Sequence, residues 1–227
     1  MSVIREPSAR EMAIRTAAIL FVFVVFFTGL LAGAYQWSRP AILASAAEEK
    51  MALIGEVLPS HLYDDDPLKN RLELPPSSAL GTTDPHTVYR ASKDGKVVAV
   101  VLEAVAPDGY SGKIRLLLAV THEGVLTGVR VLNHKETPGL GDYIEPRKDK
   151  NKQRPWITQF SGRSLKQPIS SGWKVKKDGG DFDANTGATV TPRAIVKAVY
   201  KALVFIEDQR DVLFAPPSVT KLSGAKP

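Results

Sequence analysis

Residues Thr16 to Tyr35 read TAAILFVFVVFFTGLLAGAY, twenty positions without a charge. A helix needs about 20 mainly apolar residues to cross the hydrocarbon core of a bilayer. This run therefore either spans a membrane or is removed as a signal. The apolar core of a cleaved signal peptide is usually only about 7–15 residues. No clear small-x-small site follows in Gln36 to Pro40, although Ala32 and Ala34 keep the signal-peptide alternative open. The length favours an uncleaved transmembrane helix over residues 16–36. Arg5, Arg10 and Arg15 precede the run, with Glu6 and Glu11 among them, and only Arg39 follows closely. Lys and Arg are retained on the cytoplasmic side. Residues 1–15 are thus expected in the cytoplasm and the rest of the chain in the periplasm of a bacterium. Tyr35 and Trp37 stand where an interfacial aromatic belt would lie.

Beyond the run, residues 37–210 suffice for one globular domain. The 227-residue chain has no cysteine. Thiolate metal sites, iron–sulfur clusters and Cys nucleophiles are excluded within it. Its net charge is +6, but no aromatic residues interleave with the basic ones as in a strand-binding groove, so nucleic acid is not an expected partner. Leu43, Ala47, Met51, Ile54 and Leu58 mark one face of an amphipathic helix that stops at Pro59, and a loop follows with breakers at Pro67, Pro75 and Pro76.

Two hairpins come next: Thr87–Ala91 with Lys96–Val105 around Lys93-Asp94-Gly95, and Lys113–Val120 with Val125–Leu132 around His122-Glu123-Gly124. Val97 to Ala106 is apolar except for Glu103, which suits a central strand. A buried helical stripe of Ile195, Val199, Ala202 and Ile206 begins after Thr191-Pro192, where Thr191 is a fitting N-cap. The expected class is α+β: a transmembrane helix, then a soluble domain with a largely antiparallel sheet and packed helices. Residues 211–227, rich in Pro, Ser, Gly and Lys, are expected to form a flexible tail.

The chemistry concentrates in Asp183 to Thr191, DANTGATVT. This is a hydroxyl-rich turn leading into a helix N-terminus, a place suited to phosphate because its N–H groups lack intrahelical partners. Gly187 and Ala188 let a phosphate approach the backbone, and Thr186, Thr189 and Thr191 supply hydroxyls. The bland alternative is a capped helix after a tight turn. Asp183-x-x-Thr186-Gly187-Ala188-Thr189 resembles the target motif of the bacterial flavin transferase. His134 to Gly141, HKETPGLG, looks like the ETPGLG loop of the FMN-binding domain family. With the GYSGKI turn at Gly109 to Ile114, these motifs fall in the order seen in the G subunit of Rnf electron-transport complexes.

The resemblance implies FMN joined by a phosphodiester to Thr189, placed there by a periplasmic transferase that uses FAD. It implies that Thr186, Gly187, Ala188, Val190 and Thr191 cradle the phosphate, and that Asp183 serves transferase recognition. Glu136, Thr137, Gly139, Leu140 and Gly141 would lie against the isoalloxazine. The implied role is an electron-transfer flavoprotein subunit at the inner membrane, among membrane and iron–sulfur subunits of a ferredoxin:NAD oxidoreductase that translocates ions. A component like the C subunit of the sodium-pumping NADH:quinone reductase, and a flavin-free periplasmic scaffold, are the competing readings. His61, His86, His122 and His134 show no metal-ligand spacing and read as surface residues. Trp156 reads as a core or surface tryptophan, Lys174, Lys176 and Lys177 as a solvated strand face, and the Arg147–Arg154 charge run as solvated surface.

Overall fold

A computed structural model describes residues 8–185 and 187–216. Thr186, Arg5, Glu6 and the tail beyond Pro216 lie outside the described residues. The chain divides into two units, residues 1–50 and 51–227.

The first unit is helical. Helix α1, Ala9–Val57, contains the uncharged run and is long and apolar enough to cross a membrane. The apolar side chains of the run, from Ile19 to Leu31, are exposed, as a lipid-facing helix requires. The sequence suggests a second helix beginning near Leu43. Instead α1 passes through Pro40 without a break, although that residue lacks the N–H its turn would use. The expected apolar stripe is buried only at its end: Leu43 is exposed, Met51 half-buried, and Ile54 and Leu58 fully buried.

The second unit is built on a five-stranded antiparallel meander. Its strands are β1 (Arg71–Leu74), β2 (His86–Lys93), β3 (Lys96–Ala106), β4 (Ile114–Thr121) and β5 (Leu126–Asn133), in the order β1-β2-β3-β4-β5. β3 is central and almost wholly apolar because both its faces are covered. Val100, Leu102 and Ala104 join one core cluster with Leu116 and Leu118; Ala99 and Val101 join another with Leu117 and Ala119. The first cluster receives helix α2 (Val190–Asp208) through Ile195, Val199, Ala202 and Ile206. The second receives Ile54, Val57 and Leu58. There Thr127 Oγ donates to the Val57 carbonyl at 2.6 Å, which satisfies one of the open carbonyls that end a helix.

Three expectations need correction. β1 falls where the sequence predicts loop: it is short, alternates exposed and half-buried, and sits between prolines, so its pattern is too brief to register. The expectation of a flexible tail from residue 211 fails over its first positions, because α3 (Arg210–Leu213) buries Leu213 and the Ala215 carbonyl accepts from Arg90 at 3.2 Å. Two histidines are not surface residues. His86 is buried against Phe205, and His134 bonds Glu145 at 2.5 Å.

Candidate functional site

Three segments distant in sequence meet at one carboxylate, that of Glu136, which is 4% exposed. Its Oε1 accepts the Ser111 N–H at 3.0 Å, and its Oε2 accepts the Thr191 hydroxyl. The GYSGKI turn, the ETPGLG loop and the start of α2 are thereby tied to a single side chain. Buried polar groups are costly unless bonded, and both oxygens are bonded here. Glycine is required around this seat. A Cβ on Gly141 would stand 3.0 Å from both Glu136 Oε2 and Thr191 Oγ; one on Gly109 would stand 2.9 Å from Glu136 Oε1 and 2.2 Å from the Gly112 carbonyl.

Behind Glu136 the chain continues the network. The Glu136 N–H donates to His134 Nδ1 at 3.0 Å, so that nitrogen is the acceptor and Nε2–H faces Glu145. Glu145 is partly buried, which opposes ionisation, but hydrogen bonds from Lys148 and His134 outweigh that and hold its carboxyl below the usual range.

Thr191 is therefore not the N-cap. α2 begins at Val190 with Thr189 in the cap position, and the Thr189 side chain makes no cap hydrogen bond. The reason is competition: the nearby buried carboxylate takes the Thr191 hydroxyl and draws that residue into the helix and the core, at 1% exposure. The preceding turn is held by other means. Gly187 adopts φ +87°, a region open to glycine at little cost. Tyr143 Oη accepts the Asn185 N–H and donates to the Ala188 carbonyl, each at 3.4 Å. Burial raises the pKa of this phenol and keeps it a donor.

Asp183 is exposed and pairs with Lys176 at 2.6 Å, while its carbonyl accepts from Trp156 Nε1 at 2.6 Å. Trp156 is a core residue, packed edge-on against Tyr143 and Phe160. Lys176 and Lys177 stand on a single 3-10 turn, Lys176–Asp178, rather than on a strand. Arg193 grips Asp178 through two 2.5 Å bonds and holds its carboxyl below the usual range, fastening the first turn of α2 to that 3-10 turn.

Of the residues expected at the site, Gly187, Ala188, Thr189, Val190 and Thr191 form the helix start, and Glu136 and Gly141 form the buried seat beside it. Glu136 and Gly141 are buried, and the Glu136 carboxylate is bonded inward to Ser111 and Thr191. Thr137 is half-buried, and Gly139 and Leu140 are exposed. Sequence reasoning missed Ser111 and Tyr143, whose partners are 25 and 42 residues away. No groups of His, Asp and Glu suited to a metal occur among the described residues. An open cleft of about 600 Å³ lies among Asp84, Glu103, Lys113, Arg115 and Lys135. Its size suits a ligand, and Ser111, Gly112 and Lys113 of the GYSGKI turn and Lys135 before the ETPGLG loop line it, but neither Glu136 nor any described residue of 183–191 does, so we assign the site to the helix start and the Glu136 seat.

Residues 109–204, which span all three converging segments, match the sequence model of a family described as the FMN-binding domain. Similarity to individual proteins extends over nearly the whole chain. It is 44% identical over 211 residues to the G subunit of the ion-translocating oxidoreductase complex of Pseudomonas aeruginosa, covering 93% of this chain and 96% of the relative. The chain belongs to the G-subunit family of Rnf-type ion-translocating oxidoreductases. Relatives of the same name from Shewanella oneidensis, 40% identical over 204 residues, and Erwinia tasmaniensis, 43% identical over 193 residues, cover 90% and 85% of this chain and 94% and 89% of their own lengths. The helix start, the Glu136 seat and the GYSGKI turn are thus features of an FMN-binding fold.

Proposed function

We propose that this chain is the electron-transfer flavoprotein subunit of an Rnf-type ferredoxin:NAD oxidoreductase complex, anchored by α1 and carrying FMN as a phosphodiester on Thr189. The observation that carries this reading is the division of labour between two threonines. Thr191 gives its hydroxyl to Glu136 and is buried, whereas Thr189, at the cap position, makes no capping bond and is half-exposed. A threonine at a helix N-terminus ordinarily spends its hydroxyl on the cap. Here that hydroxyl is left for another use, at the end of a helix whose dipole favours a phosphate.

Attachment is a phosphoryl transfer without redox change. Thr189 Oγ attacks the riboflavin-side phosphorus of FAD, an Oγ–P bond forms, the P–O bond to the second phosphate breaks, and AMP leaves with the electron pair. The hydroxyl proton passes to a base of the transferase, since no acid or base neighbours Thr189 in sequence to activate it. Asp183, exposed and paired with the exposed Lys176, is open to recognition by that enzyme. FMN, when bound, supplies one- and two-electron chemistry, and the protein supplies its position. Gly187 and Ala188 let the phosphate approach, and the start of α2 at Val190 and Thr191 receives it. The soluble unit is placed in the periplasm by the arginines preceding the apolar run.

Intact-mass and peptide analysis of the full-length chain, expressed with and without the transferase, tests the reading. The transferase should add the mass of FMN less one water to the peptide containing Thr189. Flavin that leaves the chain on denaturation, with no mass gained, would refute it.

A further inference from the structure

The charge run that the sequence reads as solvated surface is organised by the fold. Arg147 to Arg154 hold five cations and one acid, +4 of the chain's net +6. The acid is turned inward: Asp149 is 7% exposed, and its carboxylate accepts the Asn151 N–H at 2.9 Å and the Trp156 N–H at 2.5 Å. All five cations are exposed. Lys148 reaches Glu145 at 3.1 Å, while Arg147, Lys150, Lys152 and Arg154 have no carboxylate partner among the described residues. Runs of like charge usually repel and stay unfolded, but this one has a fixed course. Asn151 Oδ1 accepts the Arg154 N–H at 3.0 Å, the Lys152 amine donates to the Arg147 carbonyl, and the Asp149 N–H donates to the Glu145 carbonyl at 3.0 Å. The loop also stands beside the acceptor segment. Trp156, whose N–H Asp149 holds, donates its indole N–H to the Asp183 carbonyl at 2.6 Å. Gln159, on the same 3-10 turn, accepts the Asp183 N–H at 2.9 Å. The loop and the segment leading to Thr189 are thus braced against one turn, Trp156–Phe160.

We propose that Arg147, Lys150, Lys152 and Arg154 form a docking surface for an acidic face of a neighbouring protein subunit, beside the segment that leads to Thr189. This rests on the reading of the chain as a subunit of a complex and is independent of the Thr189 linkage. A fixed set of unneutralised cations selects a partner of opposite charge and sets its register. Around Lys176, by contrast, Lys174, Lys176 and Lys177 stand among Asp178, Asp181 and Asp183, so the surplus is confined to the loop. Its composition favours protein over lipid. The residues between the outermost cations are polar or charged throughout, whereas a segment that lies on a bilayer carries Trp, Phe or Leu to enter it. The apolar residues that follow, Trp156 and Ile157, are buried in the core.

The test uses the full-length chain co-expressed with the transferase and the other subunits of its complex, purified in mild detergent through a tag on this chain. Wild type is compared with Lys150→Glu plus Lys152→Glu and with Lys150→Gln plus Lys152→Gln. Lys69→Glu plus Lys96→Glu, at exposed positions outside the loop, is the control for charge. Salt screens exposed charges beyond about 8–10 Å, so wild type should release a subunit as salt is raised. At low salt the Glu pair should retain severalfold less of that subunit, the Gln pair an intermediate amount, and the control as much as wild type. Flavin fluorescence after denaturation and the melting temperature should match wild type throughout. Retention in the Glu pair equal to wild type would overturn the interface and return the run to solvated surface. A loss of retention seen in nanodiscs of anionic phospholipid and absent in neutral ones would assign the cations to lipid headgroups. A fall in attached flavin with retention unchanged would assign them to the transferase. Either result would overturn the proposal. A wild type that retains no subunit at any salt would overturn the subunit reading and the interface with it.

Discussion

Replacing Thr191 with Val tests whether Glu136 organises the site. The side chain keeps its shape and loses only the hydroxyl that faces Glu136 Oε2. Oε1 keeps the Ser111 N–H, but Oε2 is left in a closed space without a donor. Hydrogen bonds to charged groups contribute about 1.5–3 kcal/mol, and an unmet buried acceptor costs a similar amount. For a unit of this size each kcal/mol moves the melting temperature about 2–4 °C, so a fall of about 3–12 °C is expected. A Thr acting as an ordinary N-cap contributes about 1 kcal/mol, with no dependence on Glu136. The two accounts separate in a double-mutant cycle with Glu136→Gln. Urea unfolding of the full-length chain in detergent, followed by emission of the buried Trp156 and Trp173, gives the four stabilities, with a shifted midpoint at constant slope as the sign of a pure stability change. The seat predicts a coupling of about 0.5–3 kcal/mol between the two positions. Additive effects, or a Thr191→Val loss no larger than a cap, would refute it.

Two further outcomes follow from the same geometry. Gly141→Ala places a methyl 3.0 Å from Glu136 Oε2 and Thr191 Oγ; such overpacking costs about 1–3 kcal/mol, and thermal melts should show it while Gly55→Ala, with open space around it, shows no such loss. Burial lowers the His86 pKa, partly opposed by the charges of Glu73 and Glu103. The unfolded chain then takes up a proton near 6.5 that the folded chain resists, so stability is full above that pH and is lost as pH falls below it; His86→Phe should flatten that limb of a melting-temperature profile.

The strands were legible because their patterns are long. β3 spans 11 residues and is apolar on both faces, β2 and β4 lie between nearby glycine or proline signals, and β5 begins just after Gly124. α2 announced itself through a stripe that the core indeed buries. What could not be read were interactions that depend on distance in space rather than in sequence. The Thr191-to-Glu136 bond joins residues 55 apart, and nothing in Thr191-Pro192 distinguishes an N-cap from a buried second helical residue. Continuation of α1 through Pro40 was equally hidden, because a proline signals a helix boundary more often than a helix interior. The motif residues were found from their types and order, yet their arrangement around one buried carboxylate required the fold.

Most direct for the central claim is in-gel flavin fluorescence after SDS denaturation, on wild type and Thr189→Ala co-expressed with the flavin transferase. A fluorescent wild-type band beside a dark Thr189→Ala band is the predicted result. A dark wild-type band, with the transferase shown active on another acceptor, or fluorescence that survives in Thr189→Ala, would contradict the account.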